Sequence, residues 1–445
     1  MKGRRWTRGI LSGVLFVAPL AFFGFRHQRA DDRLLLPGKT SDGHHQIEQR
    51  CESCHTPFGG VAQDACTRCH GSSLRQRGDT HAVALFDDPG RAADLAFIDA
   101  RACASCHREH RPEAQTRGSV TVPANFCFPC HATVGQDRPS HGGFAADSCA
   151  NAGCHNYHDN RALHGAFLLR HKDDPALKAT PRLPVESRRH DAPPSAAPGH
   201  AVDVQAEWAA SAHGRASVAC EKCHQDVAPE ILRAGAAFLV RGEKSHGDSN
   251  DEWQVADNTC ATCHAAERDG FVSGKHGMRI ADGLGPMSPG LARAKMKPDV
   301  SGTTVGCTSC HGAHRFDRVQ AAVSACESCH DDDHTRAYRQ SPHFVAWEKE
   351  RAQKAPAGTG VSCASCHLPR FTTGAGDATA VHVQHNQNGN LRPTDRMVRD
   401  VCLHCHGLPF SLAALADPAL VKRNFVGAPA AVTTGMTLVK REARE

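Results

Sequence analysis

Twenty of the chain's twenty-two cysteines fall in ten copies of one pattern: a cysteine, two residues, a second cysteine and a histidine. The copies are Cys51, Cys54 and His55; Cys66, Cys69 and His70; Cys103, Cys106 and His107; Cys127, Cys130 and His131; and Cys220, Cys223 and His224. They continue with Cys260, Cys263 and His264; Cys307, Cys310 and His311; Cys326, Cys329 and His330; Cys363, Cys366 and His367; and Cys402, Cys405 and His406. The spacing is that of a c-type haem attachment site. Each sulfur adds to one vinyl group of the porphyrin, and the histidine turns back to bind the iron on its proximal face. Zinc sites also use paired cysteines, but they do not demand a histidine after every second one. A disulfide framework suits short secreted chains and gives the histidines no task.

The two cysteines left over, Cys149 and Cys154, enclose four residues in C149-A-N-A-G-C154-H155. A disulfide between them would leave His155 idle. A longer loop can bulge outward while both sulfurs still reach the vinyl groups, and Gly153 tolerates the dihedrals of such a turn. The stretch therefore reads as an eleventh attachment site with His155 as its proximal ligand. The cofactor complement is eleven haems c.

Whether such a protein catalyses or conducts depends on the other face of each iron. Histidine on both faces leaves an iron able only to exchange electrons, whereas an open face can bind a substrate. Of 31 histidines, eleven are proximal, which leaves twenty for at most eleven distal places. Supply favours full bis-histidine ligation, and no catalytic residue is assigned. His110, His158 and His314 stand three residues past a proximal histidine and His334 stands four past; each is placed to reach a neighbouring iron rather than its own. His213, His276 and His343 precede motifs on expected helices. His44 (or its neighbour His45), His81, His141, His171, His246 and His385 complete the distal candidates. His404 lies between two haem cysteines, and His27, His190 and His200 lie beside the apolar N-terminal run or at the proline-rich stretch, so these four are set aside.

The elements that must position these groups are short. Hydrophobic residues make up 40% of the chain, below the usual apolar share of about 45–50%. From Cys51 to His406 the chain spends 356 residues on eleven sites, about 32 each. That is too little for a conventional core around every site, so the expected fold is mainly α with extensive irregular chain, the haems forming the core. Helices are expected over 160–170, 207–213, 343–352 and 410–416, and the lack of period-two alternation leaves little for sheet. Ten residues separate His55 from Cys66 and fourteen separate His311 from Cys326. At about 3.3–3.6 Å per residue such segments cannot reach far, so those sites are neighbours.

Organisation follows the spacing. Residues 31–174 hold five sites and 206–425 hold six; 175–205 is a linker, with six prolines between Pro175 and Pro198, and 426–445 is a tail. Residues 1–30 begin with a basic region and continue in an apolar run of about 16 residues without a good small-residue cleavage site. That combination reads as an uncleaved inner-membrane anchor with the bulk of the protein on the periplasmic side, the alternative being a cleaved signal and a soluble or exported protein. The formal charge is +5. Haem propionates and ferric cores together bring the loaded protein to roughly −6, which argues against nucleic acid as a partner.

Two resemblances follow from the motifs. Residues 206–415, with W208, S211-A-H213-G, C220-E-K-C-H, C326-E-S-C-H-D-D-D-H334, S341-P-H343, C363-A-S-C-H-L-P and C402-L-H-C-H-G, resemble the hydroxylamine oxidoreductase and octahaem cytochrome superfamily, although with six motifs rather than eight. The first half resembles class III-type (cytochrome c3-like) multihaem cytochromes, in which a four-residue variant occurs beside the regular motif. No motif ends in the lysine of ammonia-forming nitrite reductases. Tyr157 and Tyr338 are the chain's two tyrosines, few candidates for the tyrosine–haem crosslink of the hydroxylamine-oxidising enzymes. The chain as a whole is therefore expected to relay electrons to and from redox partner proteins, a membrane quinol-linked complex among them. The alternatives are an oxidoreductase acting on a small nitrogen or sulfur compound at an open haem in the second half, and a subunit of a conductive filament.

Overall fold

The computed structural model describes residues 36–77, 83–111, 120–147, 204–224, 257–312, 318–373, 380–391 and 396–430, with residues 17, 81, 149, 157, 158 and 314. The expected helix at 160–170, the proline-rich linker, His155, His171, His246 and all but one residue of the N-terminal apolar run lie outside these. By backbone contacts the chain forms two units, 1–130 and 131–445, with the division falling inside the motif Cys127–His131. Among the described residues no helix is long and apolar enough to cross a membrane.

The architecture is mainly helical with little sheet, as the composition and missing alternation lead one to expect. Among the described residues of the first unit the longest helix is Gln63–Arg77, which carries Cys66, Cys69 and His70. A two-residue hairpin pairs β1 (His55–Thr56) with β2 (Gly60–Val61) immediately after the first motif. Among the described residues of this unit Phe86 is the one buried large hydrophobic side chain. The polypeptide alone therefore supplies almost no apolar core here.

The second unit has two small clusters. Phe271, Met287 and Val305 form one, with Val272, Ile280 and Ala292 against it. Val323, Tyr338 and Trp347 form the other, and Cys363 of a haem motif packs on it. The Tyr338 hydroxyl donates to the Val361 carbonyl at 2.7 Å, which commits this tyrosine to the scaffold. Behind Trp347, the buried carboxylate of Glu350 accepts from the backbone of Gly358 and Gly360 and folds the loop leading to Cys363. The antiparallel pair β3 (Arg370–Thr373) and β4 (Ala380–Val383) is the larger of the two sheets among the described residues.

The helices begin where capping residues allow. Val204–Ala210 and Ala212–Arg215 are separate because Ser211 interrupts them. Its fully buried hydroxyl accepts from Gly214 N and donates to Trp208 O. Ser341 repeats the device ahead of Pro342–Arg351, accepting from Phe344 N and donating to Tyr338 O. A capped first turn with proline at its first position is a stable helix start. In both cases the histidine two residues after the serine, His213 or His343, is fixed on that first turn. At the far end, helices Leu408–Leu415 and Pro418–Lys422 bury Leu420 completely. Leu420→Ala is expected to cost about 2–5 kcal/mol, because a core with so few apolar residues cannot refill the space; thermal unfolding of the holoprotein checks it.

Candidate haem-binding sites

Among the described residues most attachment motifs adopt one helical turn. In five of them the motif histidine N–H donates to the first cysteine's carbonyl at 2.8–2.9 Å: His107 to Cys103, His224 to Cys220, His264 to Cys260, His330 to Cys326 and His406 to Cys402. Residues at i, i+3 and i+4 of a helical turn share one face, so the turn presents two sulfurs and an imidazole to one side. Cys149 is a free thiol rather than half of a disulfide.

Motifs close in sequence bring their thiols together. Burial, with Cys103 and Cys54 alongside, pushes the Cys66 thiol up to about 11. Burial with Cys326 and Cys329 nearby does the same for Cys310, up to about 11, and burial with Cys366 nearby raises Cys402 to about 12. A hydrogen bond shared with Cys326, then burial, raises Cys363, and Cys223 is raised by burial beside Cys260. The attachment points thus run in two series, from 54 through 66 to 103 in the first unit and from 310 to 402 in the second, with 223 beside 260.

Among the described residues, in eight places a motif histidine faces a histidine from outside the motifs. The pairs are His70 with His44, His55 with His110, His264 with His213 and His224 with His314, at ring-centre distances of 5.9, 6.4, 6.0 and 6.1 Å. The others are His330 with His276, His311 with His385, His367 with His334 and His406 with His343, at 6.2, 6.2, 6.1 and 6.1 Å. With a metal–nitrogen bond of about 2.0–2.1 Å and each ring centre about 1 Å behind its nitrogen, two imidazoles on opposite faces of one metal stand about 6 Å apart. Ordinary aromatic pairs spread over about 4.5–7 Å. Eight pairs within half an ångström, each joining one motif and one non-motif histidine, match a bridging metal better than ring packing. Among the described residues no three His, Cys, Asp or Glu side chains converge as a zinc site requires.

Hydrogen bonds aim several of the non-motif rings. Nδ1 of His110 lies 2.9 Å from the Gly38 carbonyl, and Nδ1 of His385 lies 3.0 Å from that of Val383. A carbonyl can only accept, so Nδ1 carries the proton and Nε2 is left to bind a metal. His334 is held the same way by Val421, but Asn424 Nδ2 stands 3.1 Å from its Nε2 and must swing aside for that nitrogen to coordinate. Phe425 touches the rings of both His334 and His343. Burial, with His330 nearby, lowers His276 to about 4; burial, with His334 nearby, does the same to His367. Both therefore stay in the neutral form that binds metal. His330 is fixed by strand-like pairing of 295–297 with 329–331, including Lys297 N to Cys329 O at 2.9 Å.

The two units repeat one pattern. A histidine seven residues ahead of a motif, His44 or His213, faces the histidine of the following motif, His70 or His264. The third motif then carries, three residues past its own histidine, the ring that faces the first: His110 toward His55 and His314 toward His224. Ring orientation repeats as well. The first kind of pair is edge-on, at 70° and 75°, and the second nearly parallel, at 28° and 29°. His110 and His314 both have positive φ, 62° and 65°, the left-handed conformation uncommon outside glycine. It turns the ring away from its own motif. His81, His141 and His158 lie among the described residues, with His158 against the Tyr157 ring at 5.2 Å.

One participant escaped the sequence reading. Glu109 Oε1 accepts from His44 Nδ1 at 2.7 Å and from Ser41 Oγ at 2.9 Å, and its Oε2 accepts from Ser41 N at 2.7 Å. Burial alone would raise this carboxyl, but the hydrogen bonds from His44 and Ser41 outweigh it and hold the group down to about 2. Its signal in the sequence is slight: it is the residue between Arg108 and His110 in the tail of the third motif.

Motifs, helical fold and facing histidines together define a class, the multihaem c-type cytochromes. Within that class, the sequence model of the cytochrome c3 family matches residues 43–132, a span that begins just before His44 and ends just after the fourth motif. The match supports a multihaem, electron-transferring cytochrome in the N-terminal part of the chain. No curated protein and no solved structure matches the chain.

Proposed function

We propose that the protein is an undecahaem c-type cytochrome that relays electrons on the periplasmic side of the inner membrane, held there by residues 1–30. The observation that carries the reading is the set of eight facing histidine pairs at 5.9–6.4 Å. In it, the paired cysteines hold each haem covalently, the motif histidine is the proximal ligand, and the facing histidine is the distal one. Bound there, haem c supplies reversible one-electron exchange without an open coordination place.

The chain's own residues do the rest. Carbonyls orient His110, His334 and His385, Glu109 orients His44, and short helical turns set the sulfur pairs. His107, His131 and His155 complete the set of eleven, with His81, His141, His158 and His171 as their distal candidates. Partners on this reading are redox proteins, including a quinol-linked membrane complex. The test is optical. The oxidised protein is expected to keep an unchanged low-spin spectrum on adding nitrite, hydroxylamine or cyanide; a shift with any of them would show an open iron and favour a catalytic role.

A further inference from the structure

The two three-motif patterns agree in ligand order, ring orientation and the left-handed third-motif histidine, so they serve as internal controls for each other. Aligned on their third motifs, they read His107-Arg108-Glu109-His110 in the first and His311-Gly312-Ala313-His314 in the second. They differ at the place that matters for the distal ligand of the second site. The first copy brings a carboxylate to His44. The second copy has alanine at the aligned position, which brings no carboxylate.

We infer that Glu109 is a positioning residue that lowers the reduction potential of the haem held between His70 and His44. The inference rests on the bis-histidine reading above. A carboxylate that accepts the Nδ1 proton of a ligating imidazole raises the basicity of the coordinating nitrogen. A more basic ligand favours ferric over ferrous iron. The negative charge nearby acts in the same direction, and partial burial keeps it from being screened. Ser41 is the anchor: it is 2% exposed and donates from both N and Oγ, so the carboxylate cannot turn away. One four-residue tail thereby supplies the distal ligand of one site and the charge that tunes the next.

The experiment is a spectroelectrochemical titration of the full-length holoprotein, wild type against E109A and E109Q, with haem counted by mass and spin state read by electron paramagnetic resonance. E109A, which gives the first copy the residue of the second, is expected to move one haem equivalent in eleven upward. The expected shift is at least tenfold in its reduction equilibrium, about 59 mV for one electron. E109Q, still able to accept from His44 but uncharged, is expected to move the same equivalent by less. Unchanged titration curves in variants that keep every haem low-spin would overturn the inference, as would equal shifts in both. Should either variant lose haem, E109D decides, since it keeps the charge at longer reach: a smaller upward shift supports the inference and none overturns it. A high-spin or haem-deficient wild type would instead refute the ligand pairing, independently of any potential.

Discussion

Replacing His276 with alanine is expected to leave all eleven haems attached and to turn one of them high-spin. His276 faces His330 at 6.2 Å and is the distal partner of a motif whose backbone is fixed by pairing with 295–297. The turn that carries it is equally constrained. A Cβ on Gly277 would stand 2.6 Å from the Phe271 carbonyl oxygen, and one on Gly274 would meet Gln387. Shortening the side chain therefore leaves the backbone in place and exposes the iron. The neighbouring His334 is committed elsewhere, facing His367 and held by Val421. Paramagnetic resonance should show about one iron in eleven converted, cyanide should bind that iron, and added imidazole should return it to low spin. A variant that stays wholly low-spin, with full haem, would mean that His276 is not a ligand.

The second large effect concerns the irregular motif. Cys149→Ala with Cys154→Ala is expected to lower the mass of the holoprotein by one haem and leave the other ten sites loaded. Thioether attachment is covalent, so the loss is complete rather than graded. Cys149 carries a free thiol, which fits an attachment point and not a disulfide. An unchanged mass would assign the stretch C149-A-N-A-G-C154-H155 to some other role.

What could be read from the sequence follows from the range of the chemistry. Covalent attachment fixes spacing over five residues, so the cysteines and motif histidines are legible without a structure. Local helix signals are legible to within a few residues: 343–352 is expected and Pro342–Arg351 found, 410–416 expected and Leu408–Leu415 found. At 207–213 the buried Ser211 cap cuts the helix at Ala210, a break that propensity alone does not announce. The facing pairs are another matter. His385 meets His311 across 74 residues and His44 meets His70 across 26, and no local rule dictates which ring comes to which motif. Sequence narrows the choice only for His110, His158, His314 and His334, whose closeness to their own motif keeps them from turning back to it. At His110 and His314 the structure supplies the reason, a left-handed backbone. Glu109 stayed hidden because its role depends on Ser41 and His44, more than sixty residues away.

Paramagnetic resonance on the purified oxidised protein, with haem counted by mass, tests the central claim most directly. The expected result is eleven haems per chain, all low-spin, with signals from both parallel and crossed imidazole planes. Fewer than eleven haems, or a high-spin ferric signal in the wild-type protein, would contradict it.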